Sequence, residues 1–208
     1  MIAIVDYGMG NLMSVQKAFT HLGFEARIVS EESKIKKAKG VVLPGVGNFG
    51  QAVANIKSRG LWQAIKDALA EKPFLGICLG MQLLFEGSEE SPEFPGFSKF
   101  PGRFILFKSD VKVPHMGWNS VRFIKNSPIA NGLDGEEFFY FVHSYYLPFL
   151  REYTPFALGI SNYQEKFIAA VESENIFAFQ FHPEKSGKKG LKILENFGRI
   201  VYGNNCGH

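Results

Sequence analysis

Two cysteines, five histidines and a scatter of carboxylates are the residues of this chain that could do covalent or acid–base chemistry. One cysteine stands in a setting that suits a nucleophile: Pro73-Phe74-Leu75-Gly76-Ile77-Cys78-Leu79-Gly80-Met81-Gln82. An apolar run ends at Cys78, a glycine lies two residues to either side, and a helix-like segment follows. The pattern predicts a sharp strand-to-helix turn in which small residues let the backbone bend and pack closely. The attacking species would be the thiolate, favoured by a helix N-terminus just beyond Cys78 and by a neighbouring imidazolium. Phe179-Gln180-Phe181-His182-Pro183-Glu184 offers that imidazole. His182 would serve as base and acid, and Glu184 would orient it, because residues two apart share one face of an extended strand. Pro183 between them signals a strand end or turn. Cys78 and His182 lie far apart in the chain, so their meeting must come from the fold.

Acyl transfer also needs donors for the developing oxyanion. The amide of Leu79 is one candidate, and the Pro44-Gly45-Val46-Gly47 loop, whose glycines let a backbone amide turn, is the other. Taken singly, Cys78 reads as a small buried hydrophobe and His182 as a core histidine; the elbow together with His-Pro-Glu favours chemistry. His21 falls on a helical pattern and reads as structural. His115 and His143 sit in aromatic settings that fit core or interface equally. No compact His/Cys/Asp spacing suggests a metal site. Asp6-Tyr7-Gly8-Met9-Gly10-Asn11 resembles a phosphate turn but lacks a third glycine and a P-loop lysine, so it reads better as a tight turn at a rim or interface.

The elements that must position these residues alternate in the first half. Strand signals fall at 2–5, 26–29, 41–43 and 74–77, the first as a β-branched run suited to burial on both faces. Leu12, Val15, Phe19 and Leu22 recur at helical spacing, with Asn11 as candidate N-cap and Gly23 as stop. Further helices are expected at 51–58 and 61–70, and Lys34-Ile35-Lys36-Lys37-Ala38-Lys39 reads as a solvated helix face. Such alternation implies an open, mostly parallel sheet flanked by helices, whose ligands bind beyond the carboxyl ends of the strands. Cys78 and the 44–47 loop then share one rim. Residues 87–102, rich in proline, glycine and acids, read as a loop. The second half adds strand signals at 104–107, 120–123, 138–142, 156–160, 167–171 and 176–180, then a terminal helix with Leu191, Leu194, Phe197 and Val201 on one stripe.

The 208 residues carry 46% hydrophobic and 21% charged residues, a globular balance with no linker or repeat, so 1–208 is expected to be one domain. A net charge of +3 gives no footprint for nucleic acid. Met1-Ile2-Ala3-Ile4-Val5-Asp6 lacks a basic n-region and is expected to be a core strand rather than a signal peptide. No apolar run approaches the roughly 20 residues that span a bilayer. Cys78 in the apolar middle and Cys206 in a Gly/Asn tail do not suggest a disulfide, and a reducing cytoplasm is expected.

Gly76-Ile77-Cys78-Leu79-Gly80-Met81-Gln82 with His182-Pro183-Glu184 resembles the class I, triad-type glutamine amidotransferase family, whose fold is flavodoxin-like. The Asp6–Asn11 and 43–47 segments, Pro114-His115-Met116-Gly117-Trp118-Asn119, Tyr140-Phe141-Val142-His143-Ser144-Tyr145-Tyr146 and the run to Lys185-Ser186 resemble one branch of it. That branch comprises the glutaminase subunits that serve imidazole glycerol phosphate synthesis. The resemblance runs from Ile2 to about Phe197. It implies hydrolysis of glutamine to glutamate and ammonia without a cofactor, and transfer of the ammonia to a (β/α)8-barrel cyclase in a heterodimer. It implies Cys78 as nucleophile, His182 as base and acid, and Glu184 as orienter. Val46 and Leu79 would supply oxyanion amides, Gly47, Gln82, Ser144 and Tyr145 would hold glutamine, and Asn11, Met116, Trp118, Tyr140 and Lys185 would meet the cyclase. An amidotransferase feeding another acceptor and a regulatory subunit without turnover are the competing possibilities; the intact triad residues argue against the second.

Overall fold

The structure, a computed structural model, describes residues 1–108 and 111–203; Cys206 and the rest of 204–208 lie outside the described residues. Its centre is five parallel strands in the order β2-β1-β3-β4-β12. They are β1 (Ile2–Val5), β2 (Ala26–Val29), β3 (Gly40–Gly45), β4 (Phe74–Cys78) and β12 (Ile176–Phe179). β1, β3, β4 and β12 are buried at every position, as strands covered on both faces must be. Alternate residues feed two cores. Ala3, Val5, Val41 and Leu43 face one side, with helices α2 (Glu32–Lys37), α3 (Phe49–Ser58) and α4 (Trp62–Glu71). Ile2, Ile4 and Val42 face the other, with α1 (Leu12–His21) and α6 (Gly187–Tyr202).

Beyond β12 the sheet turns antiparallel, through β11 (Glu165–Ser173), β10 (Ala157–Tyr163), β7 (His115–Phe123) and β8 (Glu136–His143). β5 (Gly87–Ser88), β6 (Arg103–Leu106) and β9 (Tyr145–Pro148) lie off this path, β9 pairing with β6 and β11. β7 begins five residues before the 120–123 signal. Met116 and Trp118 point outward on it and His115 inward, which hides the usual alternation of apolar-in and polar-out. β9 carried no separate signal because it follows β8 after one residue. The 87–102 loop is tied down rather than open: Phe97 and Phe100 are buried in the core.

Local chemistry accounts for the remaining boundaries. Gly23 and Gly203 follow α1 and α6 with φ +81° and +77°. Asn11 occupies the N-cap of α1 but its side chain makes no capping hydrogen bond. Asn48 does cap α3, accepting from the Gln51 amide. Ile35 is the buried residue of α2, and its lysines stay outside. Leu194 and Phe197 are the fully buried part of the α6 stripe, while Leu191 and Val201 are half-buried. Among the described residues no helix is long and apolar enough to cross a membrane.

Among the glycines of the described residues the tightest position is Gly80, just beyond β4, where a Cβ would lie 1.7 Å from the Leu43 carbonyl oxygen of β3. The clash is with backbone, so it cannot be relieved by a rotamer change. Gly80→Ala is therefore expected to destabilise the fold by about 3 kcal/mol or more, the upper range for overpacking. Chemical denaturation of wild type and variant checks this, and a loss below about 1 kcal/mol would contradict it.

Candidate active site

Cys78 closes β4, paired with Gly45 of β3, and is followed directly by the one-turn helix α5 (Leu79–Gln82). Its backbone holds φ +53° and ψ −109°, a region that side-chain-bearing residues avoid. The flanking glycines make the turn possible. A Cβ at Gly76 would sit 3.0 Å from the Gly80 carbonyl oxygen and 3.1 Å from Ala178 Cβ. The Cys78 thiol lies 3.8 Å from the Val142 carbonyl oxygen, to which it donates, and 3.6 Å from Gln180 Nε2, from which it accepts.

His182 follows β12 and is almost fully buried. Its Nδ1 lies 2.8 Å from Glu184 Oε1, and the Glu184 side chain is only 1% exposed. The pairing is made differently from the expectation. Pro183–Lys185 is a 3-10 turn, not a continued strand, so Glu184 reaches back across the turn to the ring. Pro183 suits the first position of that turn. The remaining ring nitrogen, Nε2, is buried without a formed hydrogen bond. Burial by itself pulls the His182 pKa down; the adjoining Cys78 and Glu184 outweigh it and push it up to about 10. The arrangement therefore favours an imidazolium beside the sulfur. The His182 backbone is fixed from β8: its amide donates to the Tyr140 carbonyl at 2.9 Å, and its carbonyl accepts from Ser186 Oγ at 2.6 Å. Ser186 Oγ also accepts from the Tyr140 amide at 2.9 Å.

A cavity of about 260 Å³ opens on Cys78. Val46, Gly47, Leu79, Gln82, Ser144 and Tyr145, the expected oxyanion and binding residues, all line it. Gly47 has φ +108°, and a Cβ there would lie 2.7 Å from Met9 Cε, so the 44–47 loop rests on the β1–α1 turn. Tyr7 of that turn is wholly buried with its hydroxyl unpartnered, and a Cβ at Gly45 would meet it at 2.1 Å. Burial, with Cys78 second, raises the Tyr7 pKa above the ordinary phenol value. A larger groove along residues 123–135 contains no triad residue.

The expected interface residues Met116, Trp118, Tyr140 and Lys185 adjoin one another. Trp118 pairs with Tyr140 across β7 and β8, their rings 6.4 Å apart, and Lys185 Nζ stands 5.9 Å from the centre of the Tyr140 ring. Met116, Trp118 and Phe138 are 60%, 57% and 61% exposed, three large apolar side chains on the outer face of the β7–β8 pair. Asn11 is exposed at the head of α1, a helix that contacts the Pro183–Lys185 turn. Phe138 was missed because its neighbours are also aromatic.

Three further residues of the site carried little signal. Gln180 is wholly buried and joins Gln82 to Cys78, accepting from Gln82 Nε2 at 3.2 Å while donating to the sulfur. Its position two residues before His182 was the available clue. Glu90 lies in the 87–102 loop, where spacing says nothing; its Oε2 accepts from the Phe49 amide at 2.6 Å, which brings the carboxylate to the cavity wall. Tyr7 was visible only as part of a turn. Among the described residues no group of three or more His, Cys, Asp or Glu could hold a metal ion.

The family description "Glutamine amidotransferase class-I" matches residues 3–201. The imidazole glycerol phosphate synthase subunit HisH of Moorella thermoacetica is 46% identical over 100% of this chain and 99% of its own length. The same-named subunit of Aquifex aeolicus is 48% identical over 94% of this chain and 95% of its own. A crystal structure of a glutamine amidotransferase covers 97% of this chain and 100% of its own with a TM-score of 0.75 at 17% identity, a likeness of fold.

Two other histidines near the cavity behave oppositely to His182. Burial pulls His143 down to about 3 and His115 down to about 4, from an ordinary value of 6.5. Below 6.5 the unfolded chain binds protons that the native chain refuses. Their contribution is thus intact above that pH and is lost as pH falls toward 4. The expected slope is about 1.4 kcal/mol per pH unit for each histidine. Urea unfolding of wild type and His115→Phe between about pH 6.5 and 4.5 checks it; equal slopes would contradict the assignment.

Proposed function

The chain belongs to the class-I glutamine amidotransferase family, among the imidazole glycerol phosphate synthase subunits HisH, and from that premise we propose how its Cys78 centre works. It hydrolyses glutamine to glutamate and ammonia, and the ammonia passes to a cyclase subunit of (β/α)8-barrel form within a heterodimer. There it enters imidazole glycerol phosphate, with aminoimidazole carboxamide ribotide as co-product, in histidine biosynthesis. A reduced thiol is required, which suits the cytoplasm. The observation that carries this is the buried His182–Glu184 pair set beside Cys78.

The Cys78 thiolate attacks the carboxamide carbon of glutamine, and the carbonyl π electrons move to oxygen. Amides of Val46 and Leu79 receive the oxyanion. His182, as imidazolium, protonates the amide nitrogen, the C–N bond breaks, and ammonia leaves a thioester on Cys78. Water then attacks the thioester carbon while His182 removes its proton. Collapse expels the thiolate and frees glutamate, and the imidazolium is restored. Glu184 holds Nδ1 protonated throughout, so Nε2 alone exchanges protons. Gln82, Gly47, Ser144 and Tyr145 hold the substrate. Glu90, the one carboxylate in the cavity wall among the described residues, is available for the α-ammonium group of glutamine.

The peptide around Val46 acts as a gate. It stands between two glycines, at 38% exposure, against the turn that leads to Asn11 on the rim. Its amide is turned away from the oxyanion until the cyclase docks on Met116, Trp118, Tyr140, Lys185 and Asn11. Glutamine hydrolysis without an acceptor is thereby avoided.

Cys78→Ala is expected to abolish glutamine-dependent synthesis in the complex while leaving synthesis from free ammonia. Loss of both would overturn the role of Cys78. Free chain is expected to hydrolyse glutamine about a hundredfold more slowly than the complex, the size of one missing oxyanion donor. Equal rates would remove the gate. Glu90→Gln is expected to raise the KM for glutamine about tenfold, as for a lost charge-assisted hydrogen bond, with little change in kcat.

A further inference from the structure

His115 and His143 are buried, face each other across β7 and β8, and take no part in the triad. His143 Nδ1 lies 2.8 Å from the Tyr145 carbonyl oxygen, and His143 Nε2 lies 3.0 Å from His115 Nδ1. His115 Nε2 lies 3.2 Å from Asn119 Nδ2, which also donates to the Asn162 carbonyl at 2.9 Å. Only one pattern of protons satisfies this chain when both rings are neutral. A carbonyl can only accept, so His143 carries its proton on Nδ1 and offers a lone pair at Nε2. His115 must then donate from Nδ1, and its own Nε2 accepts from Asn119. Donation runs one way, from Asn119 through both rings to the Tyr145 carbonyl.

Around the pair are apolar rings. His115 stacks on Tyr163 at 4.1 Å and on Phe141 at 4.9 Å, and Phe107 and Phe167 lie 5.3 and 5.4 Å from His143. Two imidazoles in such a box cost more desolvation than two aromatic hydrocarbons would, so packing does not explain them. What they hold does. The His143 ring bridges to the carbonyl two residues on, across the corner where β8 passes into β9. That corner carries Val142, Ser144 and Tyr145 into the cavity wall, and the Val142 carbonyl accepts from Cys78.

We infer that His143 is a positioning residue for glutamine and that His115 sets its tautomer, the pair clamping the 142–145 corner in its binding shape. The inference rests on the cavity being the glutamine site. A neutral His143 also keeps a second cation away from the His182 imidazolium, whose charge it senses.

Glutaminase kinetics in the complex with the cyclase, together with side-chain nitrogen spectra of the full chain, test the clamp. His143→Leu removes the donor and is expected to raise the KM for glutamine about tenfold with kcat within about threefold. His143→Asn puts an amide nitrogen near the Nδ1 position and is expected to recover KM to within about threefold of wild type. His115→Phe keeps the stack but frees His143 to change tautomer; the spectra should show its Nε2–H form appear as KM rises. A wild-type His143 protonated on Nε2 would overturn the inference, as would a His143→Leu that lowers kcat and leaves KM unchanged. Should His143→Leu fail to fold, the wild-type spectra and His115→Phe decide. If wild type hydrolyses no glutamine, the glutaminase function fails instead, and the tautomer spectra still report on the clamp.

Discussion

Cys78 holds a backbone conformation that L-residues avoid, and the sheet is built to impose it. Strain of this kind costs about 1–3 kcal/mol and survives only where the surroundings over-determine it. Here Gly45 pairs with Cys78 on one side, β12 pairs with β4 on the other, and α5 lies so close to β3 that Gly80 touches the Leu43 carbonyl. A side chain at Gly80 would collide with the β3 backbone, and one at Gly76 would press on Gly80 and Ala178. The sulfur is therefore located by the backbone of three parallel strands rather than by its own side-chain contacts, which are long and weak.

The same constraint explains why the partners of Cys78 come from the antiparallel half. β12 is shared: it closes the parallel set through β4 and opens the antiparallel set through β11. His182 leaves its end and is pinned by Tyr140 of β8, so acid–base chemistry and the exposed aromatic face hang on one strand. Trp118, Tyr140 and Phe138 point outward from the strand pair whose inward residues include His115, Phe139, Phe141 and His143. A protein docking on the outer face would press on the strand that pins the His182 backbone and leads into the 142–145 corner. That is a mechanical basis for coupling between the two faces, carried by hydrogen bonds already in place.

Much of this was legible in residue types. The parallel strands announce themselves as apolar runs, and the elbow as glycines spaced around Cys78. His182 and Glu184 were identifiable as a pair, although the strand geometry invoked for them was replaced by a 3-10 turn, because Pro183 favours the start of a turn as readily as the end of a strand. What was not legible depends on contacts remote in sequence. Glu90 reaches the cavity only because it caps α3, and Gln180 reaches the sulfur only because β12 lies beside β4. β7 was half hidden because its outer face is as apolar as its inner one, so burial and binding wrote the same letters.

Three histidines around one cavity illustrate how environment alone separates roles. His182, His143 and His115 are all buried, yet the pKa of the first is pushed up and those of the other two are pulled down. Desolvation acts on all of them in the same direction. Only His182 has a buried carboxylate and a sulfur to compensate it; His143 and His115 have each other, a carbonyl and an amide, none of which carries charge. Opposed pKa shifts in neighbouring groups separate a proton carrier from a fixed donor. Were His143 cationic as well, its charge would oppose an imidazolium at His182. Glu184 and Cys78 supply the attraction that raises the His182 pKa, and a neutral His143 adds no charge against it.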